Sequence, residues 1–393
     1  MKSSKFLKLK LLKLYFFLFL SPHKFYLTKD KFYFLNKNSS LFHKFLNSIT
    51  FLRWVLFNTL SSKNIYNIPK KLFFKTCILN TFYSYEINIY LKIIDNNIKK
   101  LDKFFPTRFS KDIHFINRFS YSDRCIPAVN ILANKYELLE LTPRKWKSKY
   151  ILMGNNKYEE NLDKDNSWLY KALSDQGVIL KPNVGGHSSR DIFHLKIINR
   201  RLFFRFVGSL KDKFIEIELN DNFNLKNISE FWINNTHSRN EFLIVPYVEH
   251  TKIFPNSTYS TVFRVITNKK QNFSTIEVQS SWFEIYKKNF GFYFLDYGLN
   301  LLPYFKNIFN FDLNPNSSYI SYARQRLADN ILNASKKMHS FLPEIDSVAW
   351  DWIISENGPI LLEGNSSYSI FIPQLISSLN KNGDDDNMKI LKN

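Results

Sequence analysis

Residues 348–365 read Val348-Ala349-Trp350-Asp351-Trp352-Ile353-Ile354-Ser355-Glu356-Asn357-Gly358-Pro359-Ile360-Leu361-Leu362-Glu363-Gly364-Asn365. Two strongly apolar runs flank a Ser-Glu-Asn-Gly-Pro turn, the pattern of a β-hairpin with buried strands. Asp351, Glu363 and Asn365 are the polar exceptions. Glu363 and Asn365 sit two apart, so they share one face, roughly 7 Å apart along the strand. A three-residue loop of Glu356, Asn357 and Gly358, with glycine at the left-handed position, sets Asp351 opposite Glu363 on that face. A two-residue Asn-Gly loop would set Asp351 opposite Gly364, on the wrong face. Clustered, the three groups offer hard oxygen ligands of the kind that hold Mg²⁺ against nucleotide phosphates. The other reading makes them hydrogen-bonded strand residues near a sheet end. Carboxylates inside apolar strands are costly to bury, and that cost favours the metal.

Working outward, Ser260-Thr261-Val262-Phe263-Arg264-Val265-Ile266-Thr267 is a strand with an interior arginine. Such a charge pairs with a carboxylate or a phosphate, because it cannot be left alone. Phe242-Leu243-Ile244-Val245-Pro246-Tyr247-Val248-Glu249-His250 is an apolar strand. A free backbone edge there could hydrogen-bond a purine, and a carboxylate just beyond it could take ribose hydroxyls. Lys181-Pro182-Asn183-Val184-Gly185-Gly186-His187-Ser188-Ser189 follows the strand run Val178–Lys181. A lysine with two glycines and two serines offers an ammonium and a nest of backbone N–H groups to a phosphate chain. An ordinary hairpin turn has the same composition.

Between these motifs, Arg124–Trp146 reads as helical, with Asn134-Lys135-Tyr136 inside it, and residues 151–166 read as a polar loop. Ser167–Ser174 suggests a short helix. Asp191–Ile198, Arg201–Val207 and Phe214–Leu219 are strand candidates forming a small antiparallel sheet, and a helix follows near 228–235. Ile320, Ala323, Leu327, Ile331, Ala334, Met338 and Leu342 recur at steps of three and four, one apolar stripe on a helix over 318–342. Asn316, Ser317 and Ser318 are its capping candidates and Pro343 closes it.

The formal net charge of +21 favours anionic partners such as nucleic acid, a membrane surface, nucleotide phosphates or an acidic polysaccharide, without choosing among them. No RNA- or DNA-binding motif accompanies it, so no specific nucleic acid is expected. Cys77 and Cys125 form no CxxC pair, which excludes a cysteine-rich zinc site or disulfide scaffold and suits a reducing compartment. Lysines at 8, 10 and 13 interrupt the apolar run over residues 6–20, leaving Leu14–Leu20, too short to span a bilayer. No small-residue cleavage site follows it. A basic, apolar helix lying on an anionic membrane and a buried helix remain alternatives.

Taken in order, these pieces resemble the ATP-grasp superfamily. More narrowly, they are similar to the sugar-transfer-associated ATP-grasp family of polysaccharide biosynthesis loci. The run "AWDWIISENGPILLEGNSS" is similar to that family's Trp-Asp, Gly-Pro and Glu-Gly-Asn pattern. "ILKPNVGGHSSRDI" and "FLIVPYVEH" resemble its lysine-plus-glycine loop and its hinge strand. The resemblance implies an α+β ATP-grasp fold, two subdomains clasping ATP, over residues 116–380. The glycine-loop subdomain would cover about 170–245 and the carboxyl-terminal metal-binding subdomain about 246–380. Residues 1–115, basic, aromatic-rich and expected to be mostly helical, find no match, and 381–393 read as a flexible tail.

The resemblance also implies roles. Lys181, with Lys135 in "NKYELLEL", would contact the phosphates, and Gly185, Gly186, His187 and Ser188 would close over them. Val245 and Tyr247 would face adenine through backbone groups, and Glu249 would hold the ribose. Asp351, Glu363 and Asn365 would bind Mg²⁺, and Arg264 would stabilise the transferring γ-phosphate. His187 and Ser189 stand where many relatives have another glycine, and Ser366-Ser367 where many carry Arg-Pro-Gly. The implied activity is a Mg-ATP-dependent carboxylate–amine ligase in surface polysaccharide assembly, with small or sugar-linked carboxylate and amine substrates. It would be cytoplasmic, with the basic amino terminus at the inner face of the membrane. The alternatives are phosphoryl transfer to a non-carboxylate acceptor, or a basic membrane- or nucleic-acid-binding protein with a vestigial ATP site.

Overall fold

The computed structural model describes residues 25–27, 32–34, 125–154, 167–184, 191–207, 214–217, 225–236, 241–249, 260–269, 275–287, 291–296, 329–345, 347–355, 357–366, 368 and 372–373. The chain divides into two compact units, one of residues 1–120, 302–308 and 367–393, the other of residues 121–301 and 309–366. In the first, β1 (Phe25–Leu27) pairs antiparallel with β2 (Phe32–Phe34). The helices expected over 1–115 lie outside the described residues.

The second unit begins with α1 (Cys125–Ala133) and α2 (Lys135–Leu141), then a single 3₁₀ turn, Arg144–Trp146. The continuous helical region expected here is broken at Asn134. Asn134 is extended (φ −102°, ψ 108°), and its side chain accepts the Tyr136 and Glu137 N–H groups, capping α2. Lys135 therefore stands at the first position of a new helix. Next come β3 (Ile151–Met153), α3 (Ser167–Ser174), β4 (Val178–Pro182), β5 (Phe193–Ile198), β6 (Arg201–Phe206), β7 (Ile215–Ile217), α4 (Leu225–Asn235) and β8 (Phe242–Pro246). The strand β3 corrects the loop expected at 151–166. Ile151, Leu152 and Met153 are buried and pair with Ile244, Leu243 and Phe242. Burial on both faces outweighs the polar run that follows them.

These strands form a six-stranded antiparallel sheet in the order β3-β8-β4-β5-β6-β7. One face packs on α3 and α4, with Leu169, Leu173, Ile228 and Trp232 against Leu180, Phe193 and Ile244. The other face carries Leu152, Leu243 and Val245, which Leu139 of α2 covers.

The remaining strands are β9 (Ser260–Lys269), β10 (Ile276–Lys287) and β11 (Gly291–Asp296), followed by α5 (Asp329–Ser340), β12 (Ser347–Ser355) and β13 (Gly358–Asn365). They build a five-stranded antiparallel sheet in the order β11-β10-β9-β12-β13. Residues 318–328 and the caps proposed for them lie outside the described residues. The visible part of the stripe, Ile331, Ala334, Met338 and Leu342, is buried, as the period requires. It packs with Leu132 of α1 and Leu138 of α2 on the sheet face bearing Phe263, Val265, Trp350 and Trp352. Adjacent residues of α2 thus belong to different cores, Leu138 to the five-stranded sheet and Leu139 to the six-stranded one. The helix is a wedge between the sheets. Among the described residues no helix is long and apolar enough to cross a membrane.

Candidate functional site

Register places the polar residues of the five-stranded sheet in one row. Trp282 of β10 lies opposite Arg264 of β9, Arg264 opposite Asp351 of β12, and Asp351 opposite Glu363 of β13. Strand alternation puts this row on the face away from Trp350 and Trp352. The pairing of Asp351 with Glu363 is the expected one, but it arises differently. Ser355 pairs with Gly358, so the turn has two residues and not three, and the register shifts between Asp351 and Trp352. Leu362 is the extra residue of a β-bulge. Without it Glu363 would fall opposite Trp350, on the core side.

Arg264 is gripped from both sides. Its Nε and Nη2 donate to Asp351 Oδ1 (2.5 Å) and Oδ2 (2.6 Å), and its Nη1 lies 2.9 Å from Glu284 Oε1. Glu284 also accepts the Trp282 indole N–H at 3.1 Å. Burial opposes the Arg264 charge, but Asp351 and Glu284 outweigh it and hold the pKa above its ordinary value. Burial raises the Asp351 carboxyl, against the pull of Arg264. Glu284 escaped the sequence reading because β10 did. A buried arginine beside an alternating segment, Glu277 to Glu284, was the available signal.

Asn365 ties the row together. Its Nδ2 donates to Asp351 Oδ2 (3.2 Å) and Glu363 Oε1 (3.1 Å). The three groups sequence reasoning set aside for Mg²⁺ are therefore neighbours. Their donor set fits a hard divalent cation: two carboxylates and an amide carbonyl, all oxygen. Arg264 takes one lone pair on each Asp351 oxygen and leaves others for a ligand. Among the described residues no group of three His, Cys, Asp or Glu is placed to hold a metal, and the carboxylates of this row number two, Asp351 and Glu363.

Two lysines approach this row, one from the six-stranded sheet and one from α2. Lys181 lies in β4 and Lys135 begins α2, and both interact with Glu363. Burial first, and then the Lys135 charge, bring the Lys181 pKa down to about 8, with Glu363 offsetting part of the fall. Burial likewise lowers Lys135, and Glu363 opposes the fall. Burial would raise Glu363, but Lys135 and the hydrogen bonds from its neighbours bring it below the ordinary carboxylate value. Gly364 makes the approach close. A Cβ there would stand 2.6 Å from Leu132 Cδ2 and 2.8 Å from Trp350. The glycine thus lets α1 press on β13 and deliver the Lys135 end of α2 to Glu363.

The strand β8 carries the residues expected to face adenine. The Tyr247 N–H donates to Gly177 O at 2.9 Å, so odd-numbered residues of β8, Val245 included, direct their backbone groups at β4. Even-numbered residues face β3, whose ladder ends at Ile151 opposite Ile244. Beyond that point the edge is bounded by the Pro246 carbonyl and the Val248 N–H. Tyr247 stacks on His194, ring centroids 4.4 Å apart. His194 accepts from Arg205 at Nδ1 (3.1 Å) and so gives its Nε2 proton to Gln176 O (2.7 Å). Burial lowers its pKa to about 4. Glu249 is exposed, just past the strand. Gly185, Gly186, His187 and Ser188 lie outside the described residues.

No family model matches the chain, and no curated protein matches it. Among solved structures it is similar to D-alanine–D-alanine ligase from Bacillus anthracis, with 10% identity over 67% of this chain and 66% of that one, TM-score 0.36. It is also similar to D-alanine–D-alanine ligase from Helicobacter pylori, with 17% identity over 67% and 60% of the two chains, TM-score 0.32. N5-carboxyaminoimidazole synthetase from Staphylococcus aureus matches with 10% identity over 63% and 47%, TM-score 0.31. The match spans less than two thirds of the length of each of these proteins.

Proposed function

We propose that the site binds Mg-ATP and uses it to join a carboxylate to an amine, as an ATP-grasp ligase does. One observation carries the reading: two lysines with lowered pKa, Lys181 of the six-stranded sheet and Lys135 of α2, converge on a carboxylate–amide–arginine row of the five-stranded sheet. A polyphosphate suits this arrangement, because its negative oxygens would add to the Glu363 charge that already faces both lysines. Adenine would lie along the β3 side of β8 beyond Ile244, where the β3 ladder has ended, with Pro246 O accepting and Val248 N–H donating. This moves the backbone contacts one residue along from Val245 and Tyr247. Glu249 is placed just beyond for the ribose.

Asp351, Glu363 and Asn365 would hold Mg²⁺, which when bound would supply positive charge to the phosphoryl oxygens. Lys135 and Lys181 bind and orient the phosphate chain. Arg264 has one guanidinium edge on Asp351 and its remaining Nη1 on Glu284. It would meet the charge that develops as the γ-phosphoryl group leaves ADP. The substrate carboxylate oxygen attacks the γ-phosphorus, forming an acyl-phosphate as the bond to ADP breaks. The amine nitrogen then attacks the acyl carbon, phosphate leaves, and the nitrogen gives up a proton. Sugar-linked carboxylates and amines of surface polysaccharide assembly, met at the cytoplasmic side of a membrane, are the substrates the sequence resemblance favours.

The test is calorimetric titration of Mg-ATP into the full chain, then incubation with carboxylate and amine pools and mass analysis of products. Micromolar binding that Lys181→Ala and Asp351→Asn each weaken at least tenfold, about 1.4 kcal/mol, supports the reading. An amide formed together with ADP and phosphate supports the ligase chemistry. A phosphorylated product with no amide overturns the ligase but keeps the nucleotide site. Folded protein that binds no Mg-ATP overturns both.

A further inference from the structure

The two phosphate-facing lysines belong to elements that meet at one buried side chain. Asn183, two residues beyond Lys181, is 1% exposed. Its Oδ1 accepts the Tyr136 N–H at 2.9 Å, and its carbonyl accepts the Lys135 N–H at 3.0 Å. Both donors lie in the first turn of α2, where helix geometry leaves N–H groups without partners. On its other side, Asn183 Nδ2 donates to Glu241 Oε2 at 3.0 Å, and its N–H donates to Glu241 O at 2.9 Å. Glu241 immediately precedes β8. The next residue, Val184, forms a bridge with Asn134, the cap of α2. One residue thus fastens the end of β4 to the start of α2 and the start of β8.

We infer that Asn183 is a positioning residue that fixes the separation of Lys135 and Lys181, so that the two ammonium groups receive a polyphosphate as one unit. The inference rests on the nucleotide reading above and goes beyond it. Lys181 is held by its strand, whereas α2 is short and its first two residues are tethered to Asn183, Lys135 by the main-chain carbonyl and Tyr136 by the side chain. Removing the side chain takes away the Tyr136 contact and the Glu241 contact that seats Asn183, so Lys135 keeps its charge while the start of α2 loosens. Asn183 touches no phosphate itself; it acts through Lys135.

That claim separates positioning from general support, because it demands non-additivity. Mg-ATP and Mg-ADP are titrated into wild-type full chain, Asn183→Ala, Lys135→Ala and the double variant, with thermal unfolding recorded for each. Asn183→Ala should weaken Mg-ATP binding about tenfold, and the double variant should bind as Lys135→Ala alone does. Adenosine, which lacks phosphates, should bind wild type and Asn183→Ala within about twofold of each other. Independent effects that multiply in the double variant would overturn the inference, as would an equal loss for adenosine. Should Asn183→Ala not fold, a second pair decides. Asn183→Asp keeps the acceptor for Tyr136 but sets a carboxylate against Glu241, and Glu241→Gln restores a donor across that contact. Asn183→Asp should weaken Mg-ATP binding, and adding Glu241→Gln should restore it to within about threefold. No rescue overturns the inference. Wild-type protein that binds no Mg-ATP defeats the nucleotide reading and this inference together, an outcome distinct from any of the above.

Discussion

Lys181 should make the folded chain less stable while it makes the site work, and Lys181→Met separates the two effects. An ordinary lysine titrates near 10.5; here burial, with help from Lys135 and against Glu363, brings the value to about 8. At 1.36 kcal/mol for each unit, that displacement is a cost of roughly 3 kcal/mol carried by the folded state at neutral pH. The sign follows from proton counts. Between pH 8 and 10.5 the unfolded chain holds a proton on Lys181 that the folded chain has released, so wild-type stability rises with pH in that window. Below pH 8 both states are protonated and the cost is full. Methionine has nearly the same length and no charge, so Lys181→Met should unfold about 5–10 °C higher at pH 7. The gain should shrink between pH 8 and 10.5 and vanish above. Differential scanning calorimetry across that range measures it, and titration of Mg-ATP should show at least tenfold weaker binding. A variant melting at or below wild type at pH 7 would refute the reasoning. So would a gain that does not change with pH, since that would come from packing.

Three further outcomes follow from the same contacts. Arg264→Met leaves Asp351 and Glu284 facing each other without their cation, and should lower stability by about 3–5 kcal/mol in urea unfolding; an unchanged midpoint would mean the carboxylates find other partners. Gly364→Ala drives a methyl group into Leu132 and Trp350 and should cost about 1–3 kcal/mol, with weaker Mg-ATP binding as Lys135 is displaced. Glu363 titrates below its ordinary 4.5, so its contribution is intact above that value and is lost as pH falls through the lower folded one. Glu363→Gln should therefore flatten the acid limb of the stability curve below pH 4.5, and a limb as steep as that of wild type would contradict the assigned contacts with Lys135 and Asn365.

What the sequence disclosed and what it hid divide on physical lines. Asp351, Glu363 and Asn365 were legible because charged or amide groups inside apolar strands are expensive anomalies, and the pleat fixes which of them share a face. Arg264 was legible for the same reason, and its need for a carboxylate is met by Asp351. The place of Lys135 was harder to see. Residues 124–146 are helix-compatible throughout, and only the side-chain cap made by Asn134 breaks them, a local hydrogen bond that periodicity does not register. The strand β3 is three residues long, too short for any alternation to be counted. Asn183 looked like one more turn residue after Lys-Pro, since its importance depends on partners 47 and 58 residues away. The glycine loop at 185–188 is known only from its composition.

The hairpin of β12 and β13 has a further consequence for how its length can vary. Eleven residues separate Asp351 from Glu363, an odd number, so one of them must stand outside the paired rungs. A three-residue tip would absorb it far from the carboxylates; the observed chain absorbs it at Leu362, one residue before Glu363. Turn and bulge are thus interchangeable stores for the same odd residue. A residue gained at the tip and another lost at the bulge would leave the two carboxylates facing each other. The facing depends on the rungs and the bulge together, and tip length alone does not set it. A homologue with a longer turn could keep this acidic pair intact, while a single uncompensated insertion within the paired segments 352–355 or 358–361 would put Glu363 out of phase with Asp351.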